Sequence, residues 1–201
     1  MTPAGVVLAA GAGTRLGRPK ALVRTGAELL VERAVRTVRA GGCDPVVVVL
    51  GAQAEDVRAA ADLGDAVVVE NAAWETGMGS SLRCGLDAAA RTGAPAAVVA
   101  LVDQPGITPA VVDRLVARWR DGAVAVVATY GSEPRNPVVL DAAVWSEVAD
   151  RATGDVGARA WLRANPERVV AVPCDDIAVA DDIDTPADLA MLMTEPTVES
   201  T

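Results

Sequence analysis

One short stretch near the start of the chain carries groups suited to holding phosphate: Leu8-Ala9-Ala10-Gly11-Ala12-Gly13-Thr14-Arg15-Leu16-Gly17-Arg18-Pro19-Lys20. Glycines let the backbone approach an anion, so that several N–H groups face its oxygens. Arg15 offers a planar fork for a terminal phosphate. Pro19 stiffens the approach to Lys20, a compact charge on a thin stem that can reach one oxygen in a crowded site. Lys20 is the one lysine among 18 Lys and Arg residues. A drift towards arginine codons would leave a lone lysine by accident, but its address beside the glycines favours a phosphate ligand. Hydrogen bonds to charged groups contribute roughly 1.5–3 kcal/mol each, so a handful can hold a triphosphate.

Two commoner phosphate loops are excluded by particular residues. The dinucleotide fingerprint needs G-x-G-x-x-G and a carboxylate closing the second strand. Here Gly17 falls one place late, and the second strand ends Val49-Leu50-Gly51. The P-loop needs Gly-Lys followed by Ser or Thr; here Lys20 follows Pro19 and precedes Ala21. The loop reads instead as G-x-G-x-R-x-G-x-P-K.

The elements that must position this loop are legible from hydrophobic patterning. Val6–Ala9, Val46–Leu50, Ala66–Val69, Ala97–Leu101, Val124–Thr129, Val138–Leu140 and Val169–Val172 are predicted strands. Helices are predicted over 28–40, 56–63, 80–91, from 108, over 142–149 and 157–164, and from 184 to 193. Ser80-Ser81 is a candidate cap for its helix, and Asp184, followed by Thr185-Pro186, for the last. Apolar strands alternating with helices predict an α/β fold, a mostly parallel central sheet with helices on both faces. Ligands in such folds bind at the carboxyl ends of strands, where the loop after Ala9, Asn71 and Asp103 all fall. No linker or repeat interrupts the chain, so a single domain over 1–193 is expected, with 194–201 a frayed tail.

Bulk properties narrow the function. The net charge of −9 argues against nucleic-acid polymers as partners. The absence of histidine excludes histidine acid–base chemistry and histidine metal ligation. Hydrophobic residues make up 51% without a run long enough to cross a bilayer, so no membrane partner is expected. Cys43, Cys84 and Cys174 fit neither a zinc spacing nor a disulfide framework and are expected to be small buried residues. A soluble, cytoplasmic protein is expected. Arg15, Arg18, Lys20 and Arg24 place local positive charge where a small anion would bind.

At the glycine loop the chain resembles the nucleotidyltransferase family that includes the molybdenum cofactor guanylyltransferases and cytidylyltransferases. Its signature, L-A-[AG]-G-x-G-x-R-[ML]-G-x-P-K, is matched at every fixed position by Leu8 through Lys20. Asn71 to Leu82 is similar to the family's base-pocket segment, Leu101 to Pro105 to its metal-binding strand end, Gly154 to Arg159 to a cofactor-side motif, and Asp182 to Leu189 to its closing D-I-D-T-P-x-D-[LY] motif. The resemblance implies a single Rossmann-like nucleotidyltransferase domain of GT-A-like kind. It implies nucleotide binding by Leu8, Ala9, Ala10, Gly11, Gly13, Arg15, Lys20, Asn71, Gly77, Ser80, Ser81 and Asp103. Lys20, Arg15 and Asp103 are the expected catalytic residues. Asp155, Arg159 and Arg135 are weaker candidates for the acceptor.

The implied reaction joins a nucleotide to a phosphorylated acceptor, with pyrophosphate leaving. A phosphate monoester has a second pKa near 6, so it is a nucleophile at neutral pH without a side-chain base. Positioning and charge neutralisation remain. Mg²⁺ supplies the latter with one or two carboxylates plus substrate phosphates. Asp103 is one expected ligand. Asp182 is preferred as the other because Asp184 also reads as a helix cap; Asp184 is the alternate.

The resemblance favours CTP over GTP. Leu8-Ala9-Ala10-Gly11 follows the cytidylyl pattern, and the Ala10 Cβ would narrow the pocket towards a pyrimidine. Ser81-Leu82-Arg83-Cys84-Gly85-Leu86 is similar to the cytidylyltransferase run whose serine meets cytosine. Cytidylyltransferase relatives often carry Gly-His-Pro where this chain has Arg135-Asn136-Pro137, which leaves the acceptor more open than the nucleotide. The leading expectation is transfer of CMP to a molybdopterin-like acceptor, with transient contact to a molybdenum hydroxylase. GTP, or a sugar phosphate acceptor, is the alternative within the class. Outside it stand an NAD(P)H-dependent oxidoreductase of the nicotine-dye kind, known among relatives of this family, and a molybdenum cofactor carrier. Lys20 and the aspartate motifs speak against the oxidoreductase, since hydride transfer needs none of them.

Overall fold

Runs of valine favour strands because β-branched side chains fit a pleated surface. The computed structural model describes residues 1–194, with the backbone alone for 192–194. Its strands are β1 (Ala4–Ala9), β2 (Arg24–Thr25), β3 (Glu28–Leu29), β4 (Val46–Leu50), β5 (Val67–Glu70), β6 (Ala96–Leu101), β7 (Ala125–Tyr130), β8 (Glu133–Asp141) and β9 (Val169–Pro173). Its helices are α1 (Leu30–Ala40), α2 (Ala54–Ala60), α3 (Met78–Arg91), α4 (Pro109–Arg120), α5 (Trp145–Arg151), α6 (Arg159–Ala164) and α7 (Pro186–Thr194).

Seven strands form one sheet in the order β5-β4-β1-β6-β8-β7-β9, while β2 and β3 make a separate small hairpin. Pairing is parallel except around β8, which is antiparallel to β6 and β7. Alternating residues of each strand face opposite sides. Val7, Val48, Val98 and Val126 meet α1, α2 and α4 on one face, with Leu189 of α7 packed at its margin. Val6, Val49, Val99 and Val127 meet α3, α5 and α6 on the other, with Trp161 fully buried among them. The expected α/β architecture, mostly parallel with helices on both faces, is what forms.

From β1 the chain builds outward through β4 and β5, then crosses to β6 on the other side of β1. The carboxyl ends of β1 and β6 therefore flank a switch point, the place where open α/β sheets bind ligands.

Several element expectations are corrected. Glu28 and Leu29 pair with Thr25 and Arg24, so α1 begins at Leu30. The strand expected over Val138–Leu140 runs from Glu133 to Asp141. Its first half is exposed and pairs only with β7, which left no apolar signal. Strands β5 and β9, expected as strands, are the half-exposed edges of the sheet. Ser80 and Ser81 do not cap α3: the helix starts at Met78 after Gly77, whose φ is 106°, and both serines lie inside its first turn. Cys43 and Cys174 are buried, but Cys84 is only partly so.

Asp184 is not the cap of α7 either. Thr185 Oγ1 accepts from the Asp188 N–H at 3.3 Å, and Asp188 Oδ2 accepts from the Thr185 N–H at 2.7 Å. This reciprocal pair is a capping box, and it leaves the Asp184 carboxylate free. Thr194, expected in the tail, lies in α7, and the remainder of the expected tail, 195–201, lies outside the described residues.

Helix α3 sits close on the sheet because Gly85 has no side chain. A Cβ there would stand 2.5 Å from Val6 Cγ1 and 3.1 Å from Val49 Cγ2. Gly85→Ala gains up to about 1 kcal/mol of helix propensity but overpacks the sheet at a cost of about 1–3 kcal/mol. Urea unfolding should show a lower midpoint with an unchanged slope; a raised midpoint would mean that α3 lifts freely off β1.

Candidate active site

Where β1 ends at Ala9, the chain folds back tightly. Gly13 has a φ of +59°, and a Cβ on it would lie 2.0 Å from the Arg18 carbonyl oxygen and 3.2 Å from the Lys20 nitrogen. No other residue fits there. The Gly13 carbonyl accepts from the Leu16 N–H at 2.9 Å, closing the turn. Pro19 and Ala21 are buried on either side of Lys20, which opens a short 3-10 turn over Lys20–Leu22. Its backbone is thus fixed, and its side chain points across the switch point.

There it meets carboxylates from two distant parts of the chain. Lys20 Nζ lies 2.6 Å from Asp103 Oδ2 and 2.5 Å from Asp184 Oδ1. Arg15 Nη1 lies 3.2 Å from Asp184 Oδ2, on the exposed side. Asp103 follows β6, and Val102 is held to β1 by its N–H to the Leu8 carbonyl at 3.2 Å. Asp184 is delivered by the segment before α7, where the buried Ile183 donates its N–H to the Asp103 carbonyl at 2.9 Å. That segment crosses so near the Gln104–Gly106 turn that a Cβ on Gly106 would stand 2.4 Å from the Val179 carbonyl oxygen.

The electrostatics follow from this geometry. Burial pulls the Lys20 ammonium towards deprotonation, but the Asp103 and Asp184 carboxylates more than offset it, and its pKa is raised. One oxygen, Asp103 Oδ1, is buried without a hydrogen-bond partner. A desolvated carboxylate oxygen left this way is costly. It suits a hard cation such as Mg²⁺, which takes oxygen ligands. The residues present therefore fit a divalent ion between Asp103 and Asp184.

Asp182 lies near Asp103 but bonds to a different side chain. Among the described residues no three carboxylate, cysteine or histidine groups converge on one point. Asp182 instead accepts from Gln104 Nε2 at 2.8 Å. Desolvation and the neighbouring Asp103 raise its pKa, against the opposing effects of Gln104, Arg135 and Lys20. The preference for Asp182 rested on reading Asp184 as a helix cap, and the capping box built from Thr185 and Asp188 removes that ground. Arg135 stands on the Asp182 side and donates to the Ala180 carbonyl at 3.2 Å.

Leu8, Ala9 and Ala10 are buried, whereas Gly11 is exposed. The Ala10 carbonyl accepts from the Ala52 N–H at 3.0 Å. Gly51 leaves room for Trp74, since a Cβ there would lie 2.6 Å from Trp74 Cβ. Asn71 Nδ2 donates to Ser80 Oγ at 2.7 Å and Ser81 Oγ at 3.1 Å. These three side chains are buried and tie the end of β5 to the start of α3. Gly77 packs on the Gly154 carbonyl, and Asp155 Oδ1 accepts from the Met78 N–H at 3.3 Å, at the positive end of α3. Arg159 is exposed at the start of α6, apart from the Lys20 cluster.

Sequence reasoning gave no role to Gln104 or Gly51. Gln104 stood in plain view beside Asp103 but showed nothing of its partner 78 residues away. Gly51 would have been found only by knowing that Trp74 lies against it.

Comparison with known proteins matches this architecture. The model of the MobA-like NTP transferase domain matches residues 5–175. The chain belongs to that family. It is a nucleotidyltransferase by family and by relatives. A probable molybdenum cofactor guanylyltransferase from Opitutus terrae is 39% identical over 65% of this chain and 63% of its own length. Rv0371c from Mycobacterium tuberculosis H37Rv is 30% identical, with a TM-score of 0.82 over 98% of this chain and 100% of its own; it has also been solved in complex with manganese. The nicotine blue oxidoreductase of Paenarthrobacter nicotinovorans is 46% identical to this MobA-like chain over 90% of it and 91% of the relative.

Lys20→Arg should lower nucleotidyl transfer at least about 100-fold while leaving the fold intact, because the larger planar guanidinium cannot set a compact point charge where Lys20 Nζ lies between Asp103 and Asp184. Steady-state rates beside a circular dichroism spectrum check this; near-wild-type turnover would make Lys20 incidental. Gly13→Ala must displace the Arg18 carbonyl, and nucleotide affinity measured by calorimetry should drop at least about tenfold.

Proposed function

We propose that the protein transfers CMP from CTP to a phosphorylated acceptor, best represented by molybdopterin, with a divalent cation and in the cytoplasm. The single observation that carries the reading is the Lys20 ammonium lying between Asp103 and Asp184 at the mouth of the glycine loop. That pairing puts a phosphate-seeking cation beside carboxylates able to hold Mg²⁺, at the switch point of an α/β sheet.

In this reading the acceptor phosphate supplies its own nucleophile, so the protein needs no histidine base. Its oxygen forms a bond to the α-phosphorus of the nucleotide while the bond to pyrophosphate breaks. Asp103 and Asp184 would hold the cation, with Asp182 outside that pair. When bound, the cation neutralises phosphate charge. Lys20 and Arg15 turn to the phosphates and stabilise the charge gathering on the departing pyrophosphate. The glycine loop aligns the triphosphate through its backbone. Ala10, on its buried floor beside Gly51 and Trp74, supports the preference for a pyrimidine. Asp155 and Arg159 offer an acceptor side distinct from the triphosphate side, and Arg135 an anion contact near Asp182. A molybdenum hydroxylase is the client this product implies.

A second reading rests on one observation, the 46% identity with the nicotine blue oxidoreductase. There the same pocket would take NAD(P)H and pass hydride to a quinonoid dye. Nothing in that chemistry calls for Lys20, Asp103 and Asp184 to converge.

Pyrophosphate release should be measured with molybdopterin, Mg²⁺ and each of the four nucleoside triphosphates. CTP is expected to exceed GTP at least about tenfold, a selectivity worth about 1.4 kcal/mol. Asp103→Asn should abolish release without altering the fold. Equal use of CTP and GTP would overturn the base assignment. NADH or NADPH oxidation with a quinonoid dye, unaffected by Asp103→Asn and unaccompanied by pyrophosphate release, would establish the second reading instead.

A further inference from the structure

Of the two carboxylates that meet Lys20, Asp184 lies in the irregular segment between β9 and α7, and its side chain is partly exposed. A solvated aspartate on a loop samples several rotamers, and bonding to one cation does not by itself fix the backbone. Two backbone contacts supply what the side chain lacks. Just before Asp184, Ile183 is buried and its N–H is bonded to the Asp103 carbonyl. At Asp184 itself, the N–H donates to Asp188 Oδ2 at 3.0 Å.

The second contact lies outside the helix cap. A capping box needs only the Asp188 carboxylate on the Thr185 N–H and the Thr185 hydroxyl on the Asp188 N–H. Both are present, at 2.7 and 3.3 Å. The bond to the Asp184 N–H is a third one, and it reaches back past the cap into the site. One oxygen, Asp188 Oδ2, thus holds two successive N–H groups.

We propose that Asp188 is a positioning residue: by clamping the Asp184 N–H it holds the Asp184 carboxylate where Lys20 and a divalent cation can share it. This rests on the proposed roles of Lys20, Asp103 and Asp184. Asp188 touches no substrate and acts only through its neighbour.

The helix-capping and positioning roles separate by substitution. Thr185→Ala removes half the capping box and leaves the bond to the Asp184 N–H. Asp188→Ala removes both. Asp188→Asn keeps an amide oxygen that accepts from both N–H groups. The probe is Mn²⁺ in the presence of CTP, followed by the loss of its free electron paramagnetic resonance signal, with thermal melting in parallel. Both alanine variants are expected to lower the melting temperature by a few degrees. Asp188→Ala should weaken Mn²⁺ retention at least about tenfold, Thr185→Ala no more than about twofold, and Asp188→Asn should recover most of the loss. Asp188→Ser, also too short to reach, carries the same expectation and serves if the alanine variant does not fold. Equal weakening by Thr185→Ala and Asp188→Ala would reduce Asp188 to a cap and overturn the inference. So would undiminished retention in Asp188→Ala while Asp184→Asn loses it, a result that leaves the reading of the site standing. Undiminished retention in Asp184→Asn overturns that reading and this inference together.

Discussion

A single ammonium group must be kept charged inside a partly dry cleft, and the molecule is organised around that constraint. Lys20 is about four-fifths buried, with a side-chain exposure of 17%, and two carboxylates offset its desolvation. Neither could come from the glycine loop, since Leu8 through Lys20 contains no Asp or Glu. One comes from the end of β6 and the other from the approach to α7. The sheet order, with β1 beside β6, brings the first within reach; the crossing of the closing segment over the Gln104–Gly106 turn brings the second. What seems in sequence to be a phosphate loop is, in three dimensions, one corner of a three-part charge cluster.

Much of this was legible beforehand, because the strongest signals are local. The loop is recognisable from its glycines, arginine and lysine, since the backbone geometry they permit spans few residues. The valine runs of β1, β4 and β6 announce buried parallel strands, and Asp103 at the end of one of them marks the site edge. Weaker readings failed where the deciding contact was remote. Ser80 and Ser81 look like caps until Asn71 is seen to donate to both. Asp184 looks like a cap until Asp188 is seen to cooperate with Thr185 in that task. The exposed half of β8 has no apolar alternation because a single neighbour and solvent share it. In each case a polar residue had two uses open to it, and only its partner decided between them.

The family places nucleotidyl transfer and a dye oxidoreductase on closely similar chains. The sheet and its helices are indifferent to that choice. They supply a cleft at the switch point and a rigid edge on which side chains can be mounted. In this chain a cation and two carboxylates converge there, residues for which hydride transfer has no evident use.

The three groups of the cluster enter the chain far apart: Asp103 follows Lys20 by 83 residues, and Asp184 follows it by 164. Synthesis runs from the amino end, so the glycine loop and its lysine emerge first and wait for partners. The region matched by the family's domain ends at residue 175, before Asp184 has been made. The centre is complete only with the closing segment: a chain cut after residue 175 would keep all seven strands of the sheet in its sequence yet lack one of the two carboxylates that offset Lys20.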